Sequence, residues 1–388
     1  MGISIGLVGL GAFGSSFAPL FKRHPRVDRI ALCDREPERV AAFANRPDFQ
    51  DKFHPRDAYA SLDEICRSDL DALVIITQPW LHAAQAIQAM EAGKHVYSAV
   101  PVVWLPDGDE ILEWCDRLIE ACRRTGMRYM LGETTYYRPE AMYCRRRAAE
   151  GAFGQFVYAE GEYYHDVDSP YSNLRQVHRM RMASQAGAEW EQAMWGYRTR
   201  GVVGGPMHYP THSTSGPMCV MKAHATKVSA LPYWNQTGDP YFDKEPSNET
   251  ALFRLSNGAV MRICEYREVG LPGRETFRIY GNQASFENDH WCDKRGATRL
   301  TAEAMRDPLP AEVVEAFRAG ETSDFYGGHG GSHAFLVHEF VEAIADGRMP
   351  AINAWEAVRY MVAGVMAHKS ALRDGEPLEV PDWGDAPE

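Results

Sequence analysis

Two groups of residues in this 388-residue chain have types and spacing suited to chemistry. The first is Gly9-Leu10-Gly11-Ala12-Phe13-Gly14, a GxGxxG that follows the apolar run Ile3–Val8 and opens a helical pattern. In that context the glycines allow a tight turn and bring backbone close to a pyrophosphate, whose charge meets the helix N-terminus. Asp34 closes the second strand pattern about 20 residues later, where a carboxylate accepts ribose hydroxyls. A carboxylate there repels a 2′-phosphate, which favours NAD over NADP. Arg35 beside it can neutralise such a phosphate or stack on adenine.

The second group is aromatic and imidazole-rich. Tyr163 and His165 lie two apart on a strand pattern and so share a face, which could also be plain core. His208, Tyr209 and His212 follow in a short run. An ordinary histidine, with a pKa of about 6.5, exchanges protons near neutral pH. A tyrosine at about 10 is a poor base unless positive charge lowers that value. His165, His208 and His212 are also metal-ligand types. No cysteine or carboxylate completes a recognised spacing with them, so no metal is expected. His329 and His333 stand amid glycines and are expected to shape a loop near the pocket.

These residues need elements to hold them. After Ile3–Val8 come strand patterns at Ile30–Cys33, Ala72–Ile76, His95–Tyr97 and Tyr129–Leu131. Helical patterns alternate with them from Glu36, over Ala83–Ala92 and over Asp107–Arg124. That alternation predicts a doubly wound parallel sheet, with ligand beyond the carboxyl ends of the strands. Past residue 133 strands dominate, at Phe156–Tyr164, Ala225–Leu231, Glu249–Leu255, Val260–Glu265 and Thr276–Gly281. Ser256-Asn257-Gly258 reads as a hairpin turn. The fold class is therefore α/β, with a mainly antiparallel sheet after the parallel one. The expected division is 1–132 for NAD and 133–388 for the second sheet, which can cover one side of the cofactor. Helices over His333–Ala345 and Ala354–Leu372 are expected to pack back toward the first domain.

Hydrophobic residues at 45% and charged residues at 24% describe an ordinary globular protein. A formal net charge of -12 disfavours nucleic acid, which needs a basic surface. No apolar run approaches the roughly 20 residues that span a bilayer, so no membrane partner is expected. The eight scattered cysteines fit a reducing compartment. With no basic, apolar leader pattern, the expected location is the cytoplasm. The stretch from His178 to Arg200 is rich in arginine, methionine and tryptophan, including Arg179, Arg181, Trp190, Trp195 and Arg198. Aromatics there could stack on a sugar and arginines could grip a carboxylate, sulfonate or phosphate. The same stretch could equally be an interdomain or oligomer contact.

Thr77-Gln78-Pro79-Trp80-Leu81-His82, followed by Ala92-Gly93-Lys94-His95-Val96, resembles the second cofactor segment of the Gfo/Idh/MocA oxidoreductases. That family places a lysine near the nicotinamide, where this chain has Val100 before Pro101. Its usual aspartate is replaced by His208, and Tyr209-Pro210-Thr211-His212 is similar to a motif of the NAD-dependent glycosidases of glycoside hydrolase family 109. Glu133-Thr134-Thr135-Tyr136 and Tyr163-Tyr164-His165-Asp166 resemble further motifs of that branch, as do His329-Gly330-Gly331 and Val380-Pro381-Asp382-Trp383. His208, Ser213 and His333 depart from it.

The resemblance implies that 133–388 form an α/β domain with an open, mainly antiparallel sheet for substrate and oligomer contacts. It also implies a redox-neutral reaction on a sugar or glycoside, in a homodimer or homotetramer. The cofactor segments would be Gly9 to Gly14, Asp34, Arg35, Thr77 to Pro79, His82, Val100 and Pro101. His212 would take the C3 hydroxyl proton and Tyr163, with His165, the C2 proton. Tyr209 and Glu133 would orient the sugar and its leaving group, and His208, Trp195, Arg198 and His329 would line the substrate site. The alternatives are an ordinary sugar or polyol dehydrogenase that releases NADH, and a non-catalytic NAD-bound sensor or scaffold.

Overall fold

Short strands separated by helices build the first layer. Strands β1 (Ile3–Val8), β2 (Val27–Cys33), β3 (Phe53–Tyr59), β4 (Ala72–Ile75), β5 (His95–Ser98) and β6 (Tyr129–Leu131) form a parallel sheet. Its order is β3-β2-β1-β4-β5-β6. Helices α1 (Gly14–Arg23), α2 (Pro37–Ala44), α3 (Leu62–Cys66), α4 (His82–Glu91) and α5 (Gly108–Thr125) connect the strands. The computed structural model describes residues 2–170, 173–242, 244–319 and 325–387.

Helix α5 shows why the sequence folds this way. The Asp107 side chain caps it by accepting the Asp109 N–H, and left-handed Gly126 ends it. Between them Ile111, Cys115, Leu118, Ile119 and Cys122 recur at helical spacing and are buried. Each such aliphatic side chain contributes on the order of 1.5–3 kcal/mol. Strand β3 carried no apolar signal because only Phe53 and Asp57 are buried, and Arg29 Nε donates to the Asp57 carboxylate at 3.1 Å.

The second layer contains α6 (Pro139–Ala149), β7 (Phe156–Tyr164), α7 (Leu174–Met182), α8 (Gln185–Thr199) and α9 (Thr211–Met221). Strands β8 (Ala225–Tyr233), β9 (Asn248–Leu255), β10 (Val260–Tyr266), β11 (Arg274–Gly281), β12 (Ala284–Glu287), β13 (His290–Asp293) and β14 (Gly296–Arg299) follow. The chain closes with α10 (Ala302–Met305), α11 (Ala311–Arg318), α12 (Gly328–Ala345), α13 (Ala354–Ala371) and β15 (Leu378–Glu379). The sheet order is β14-β13-β12-β11-β7-β10-β9-β8-β15, antiparallel except where β10 runs parallel to β7. The stretch around His178–Arg200, open in sequence, is the two helices α7 and α8.

Helix α9 is buried along its whole length beneath this sheet. Gly161 of β7 makes that possible, because a Cβ there would stand 1.9 Å from the Ser213 carbonyl oxygen. The close approach brings Tyr163 beside His212. Helix α12 returns to the first layer, where Phe17 of α1 packs on His333 at 4.3 Å. His329, Gly330 and Gly331 precede the regular part of α12 in left-handed conformations. No described helix is long and apolar enough to cross a membrane.

Candidate active site

The glycine turn has the shape a dinucleotide requires. Gly9 has φ +91°, and a Cβ on it would lie 2.3 Å from the Ile76 carbonyl oxygen; on Gly14, one would lie 2.0 Å from the Gly9 carbonyl oxygen. Only glycine leaves that cradle open. Asp34 receives the Leu10 N–H at 2.7 Å and the Glu36 N–H at 3.0 Å, which fixes its carboxylate at the end of β2. Arg35 is committed elsewhere: its guanidinium donates to both carboxylate oxygens of Glu189 on α8, at 2.7 and 3.0 Å. It is therefore balanced rather than free to meet a 2′-phosphate. Ala12 and Phe13 are exposed, with Phe13 edge-on to His329 and His333 at 6.1 and 5.8 Å.

His82 braces this region from beneath. Fully buried, it lies with Nδ1 2.9 Å from the Pro101 carbonyl and Nε2 3.3 Å from that of Thr77. Burial lowers its pKa to about 4, so the ring is neutral. Both nitrogens face protein carbonyls; the neutral ring donates to one and packs against the other, so its part is to brace the Thr77–Gln78–Pro79 and Val100–Pro101 segments. The Val100 side chain is buried, and its carbonyl accepts from the Tyr209 hydroxyl at 3.4 Å.

Two proton-handling pairs meet above. His212 Nδ1 is 2.9 Å from Glu133 Oε1, and Glu275 Oε1 stands 3.7 Å from the same nitrogen. Thr135 fixes both carboxylates, its N–H donating to Glu133 at 2.9 Å and its hydroxyl to Glu275 at 2.6 Å. Arg138 pairs with the other Glu275 oxygen at 2.6 Å. Burial acts to lower the His212 pKa, but the two carboxylates outweigh it and hold the imidazolium up to about 9. Among the described residues Nε2 of His212 has no hydrogen-bond partner. It is the nitrogen open to a ligand.

The second pair is Tyr163 and His165, with Tyr163 Oη 2.6 Å from His165 Nδ1. The Tyr163 ring centroid lies 4.9 Å from that of His212 and 6.4 Å from that of Tyr209. Strand register sets Glu265 and Glu275 on either side of Tyr163, and the Arg267 guanidinium sits 4.8 Å over its ring. Burial pushes the Tyr163 pKa well above 10, against the pull of Arg267. Arg267 pairs with Glu265 at 2.8 Å, and the Ser213 hydroxyl donates to Glu265 as well. Burial raises Glu265 to about 7.

His329 stacks on His212 at 6.3 Å, with its Nδ1 3.0 Å from His333 Nε2. Three other expected substrate residues are not brought to this cluster. His208 is fully buried, its Nδ1 bonded to the Leu105 carbonyl at 2.9 Å and its ring against His368 at 4.4 Å. Trp195 is 69% exposed, and Arg198 also faces solvent, on the outer side of α8. Trp190, one of the aromatics of the same stretch, is the inward side chain of that helix: it stacks on Trp80 at 4.8 Å and 13°.

Glu265, Glu275, Arg138 and Arg267 were not foreseen. For the two glutamates a signal exists, since Glu265 and Glu275 are in phase with the inward Ile263 and Phe277 of β10 and β11. Glu133, His212 and Glu275 offer donor atoms within 4.8 Å of one another. With Arg138 on Glu275 and Nδ1 of His212 facing Glu133, the cluster is arranged to hold a proton.

Known proteins resemble this chain at both of its ends. Residues 3–133 match the oxidoreductase family with NAD-binding Rossmann fold, Gfo/Idh/MocA, and residues 278–386 match the glycosyl hydrolase 109 C-terminal domain. The chain joins those two domains. It is an NAD-binding enzyme, similar to that oxidoreductase family over its first third and to family 109 proteins along its length. A glycosyl hydrolase family 109 protein of Bacteroides fragilis is 25% identical, covering 98% of this chain and 85% of that protein. One from Streptomyces niveus is 26% identical, covering 98% and 77%. Among solved structures, the oxidoreductase domain protein of Kribbella flavida superposes with a TM-score of 0.73 at 18% identity, covering 98% of this chain and all of that one. The scyllo-inositol dehydrogenase of Lactobacillus casei, solved with NAD(H) and scyllo-inositol, gives 0.65 at 15%, covering 98% and 99%. These structural likenesses concern the fold.

Proposed function

We propose that this enzyme cleaves a glycoside without net redox change, through transient oxidation at C3 of the sugar. One observation carries the proposal: two separate acid–base pairs, His212–Glu133 and Tyr163–His165, whose rings lie 4.9 Å apart. A plain dehydrogenase needs one such pair. Elimination across a ring needs two, for neighbouring carbons.

When bound, the nicotinamide supplies a reversible hydride acceptor for C3. The neutral fraction of His212 receives the C3 hydroxyl proton at Nε2, and Glu133 stabilises the resulting imidazolium, so this step is expected to speed up as pH rises toward about 9. The ketone acidifies the C2 proton. Tyr163 takes that proton while its own passes to His165 Nδ1, so the costly free phenolate is avoided. The C1–oxygen bond breaks with its electron pair on the leaving oxygen, which takes up the proton that the water adding at C1 gives off, while Tyr209 and Glu133 orient the leaving group. Return of the C2 proton from the Tyr163–His165 pair and of the hydroxyl proton from His212 restores the site. This plan differs from the usual pair of catalytic carboxylates. Val100 supports it: at the position where the family's dehydrogenases carry lysine, this side chain holds no proton.

The uncovered face of the second sheet, with Leu231, Leu252 and Val260 exposed, is where we place contact between copies in a homo-oligomer. The test of function is a panel of p-nitrophenyl glycosides incubated with purified enzyme and no added NAD. Nitrophenol release without NADH absorbance supports the reading. NADH formed in proportion to free sugar, with no nitrophenol, replaces it with an ordinary dehydrogenase.

A further inference from the structure

Helix α8 touches the first layer at two places that share a meaning. Glu189 pairs with Arg35, in the loop after β2. Its neighbour Trp190 stacks on Trp80, in the loop after β4, and lies 5.7 Å from Trp104. The sheet order puts β1 between β2 and β4. Two adjacent residues of α8 therefore reach the loops on either side of β1, and the helix crosses the carboxyl end of that strand. That end carries the glycine turn, over which a dinucleotide's pyrophosphate lies in this fold.

The anchoring is built in. Ser184 caps α8 through the Gly187 N–H at 3.1 Å, and Gly187 packs against Met182 so closely that a Cβ would stand 2.6 Å from the Met182 Cα. Trp190 is 6% exposed although its helix is mostly open to solvent. Farther along, the Tyr197 hydroxyl donates to Glu110 of α5, and Arg200 reaches the same carboxylate at 3.4 Å. The Arg35–Glu189 pair is half-exposed and adds little alone. The tryptophan stack is the stronger fastening.

We propose that α8 is a strap across the dinucleotide groove, with Trp190 as the residue that holds it shut and keeps the cofactor bound between turnovers. The proposal rests on the recycling of cofactor put forward above, since a released co-substrate would need an open groove.

The experiment measures the NADH dissociation rate by loss of bound fluorescence on dilution into excess NAD, with NAD content of the purified protein as a second readout. Wild type is expected to retain its dinucleotide through gel filtration. Trp190→Ala is expected to release NADH at least tenfold faster with an unchanged far-UV spectrum, and Trp190→Phe to fall between. If Trp190→Ala does not fold, the double variant Glu189→Gln, Tyr197→Phe is expected to release NADH severalfold faster. An unchanged rate in the folded variants overturns the strap, whatever the glycoside assay shows. Faster release in the variants, from an enzyme that accumulates NADH and frees no nitrophenol, keeps the strap and rejects the recycling.

Discussion

Replacing Glu275 by glutamine tests how the site holds its proton. The Glu275 carboxylate is 3.7 Å from His212 Nδ1, a distance worth about 4 kcal/mol at an effective dielectric of 20. Arg138, 2.6 Å from the other oxygen, offsets much of that. The net effect is then on the order of 1–2 pH units, at about 1.36 kcal/mol per unit. Glutamine also leaves Arg138 unpaired, and its charge pushes the same way. His212 in the wild type, without dinucleotide, is expected to titrate at about 9, and in Glu275→Gln about 1–2 units lower. The assay is an NMR titration of the His212 Cε1 proton, assigned with His212→Asn. A wild-type value at or below 6.5, or a variant value unchanged or higher, refutes the reasoning.

The same proton has a stability consequence. A folded pKa of about 9 against 6.5 unfolded gives stabilisation fully present below pH 6.5 and lost as pH rises through 9, on the order of 3 kcal/mol. The urea midpoint gap between wild type and His212→Asn should narrow from pH 6 to pH 10; a constant gap contradicts this. Tyr163→Phe should lower glycoside cleavage by about 10²–10⁴ and leave NAD content unchanged. Intact cleavage in that variant removes Tyr163 from the proton path. Gly14→Ala should abolish NAD binding, since its Cβ would meet the Gly9 carbonyl at 2.0 Å; isothermal titration that still shows binding would refute the fit.

Much of the first layer was legible because glycine turn, acidic strand end and alternating patterns are local signals. Strand β3 was not, because an edge strand with Asp57 as one of its two buried residues lacks an apolar run. Strands β12 to β14, four residues each, are too short to show a period. In the site, Tyr163, His165, Glu133, Tyr209 and His212 were found through motifs and come together. Glu265 and Glu275 reach Tyr163 only through strand register, which sequence spacing does not state. His208 sits beside a functional motif, but the turn before α9 sends its ring toward His368. Trp195 lies five positions from Trp190, about 140° around a helix, so one faces out when the other faces in.

The central claim is that the C2 proton leaves and returns during turnover. The direct measurement is cleavage of a p-nitrophenyl glycoside in D₂O with mass and NMR analysis of the sugar product. One deuterium at C2, with no NADH accumulated, is the expected result. A product with hydrogen retained at C2 contradicts the account.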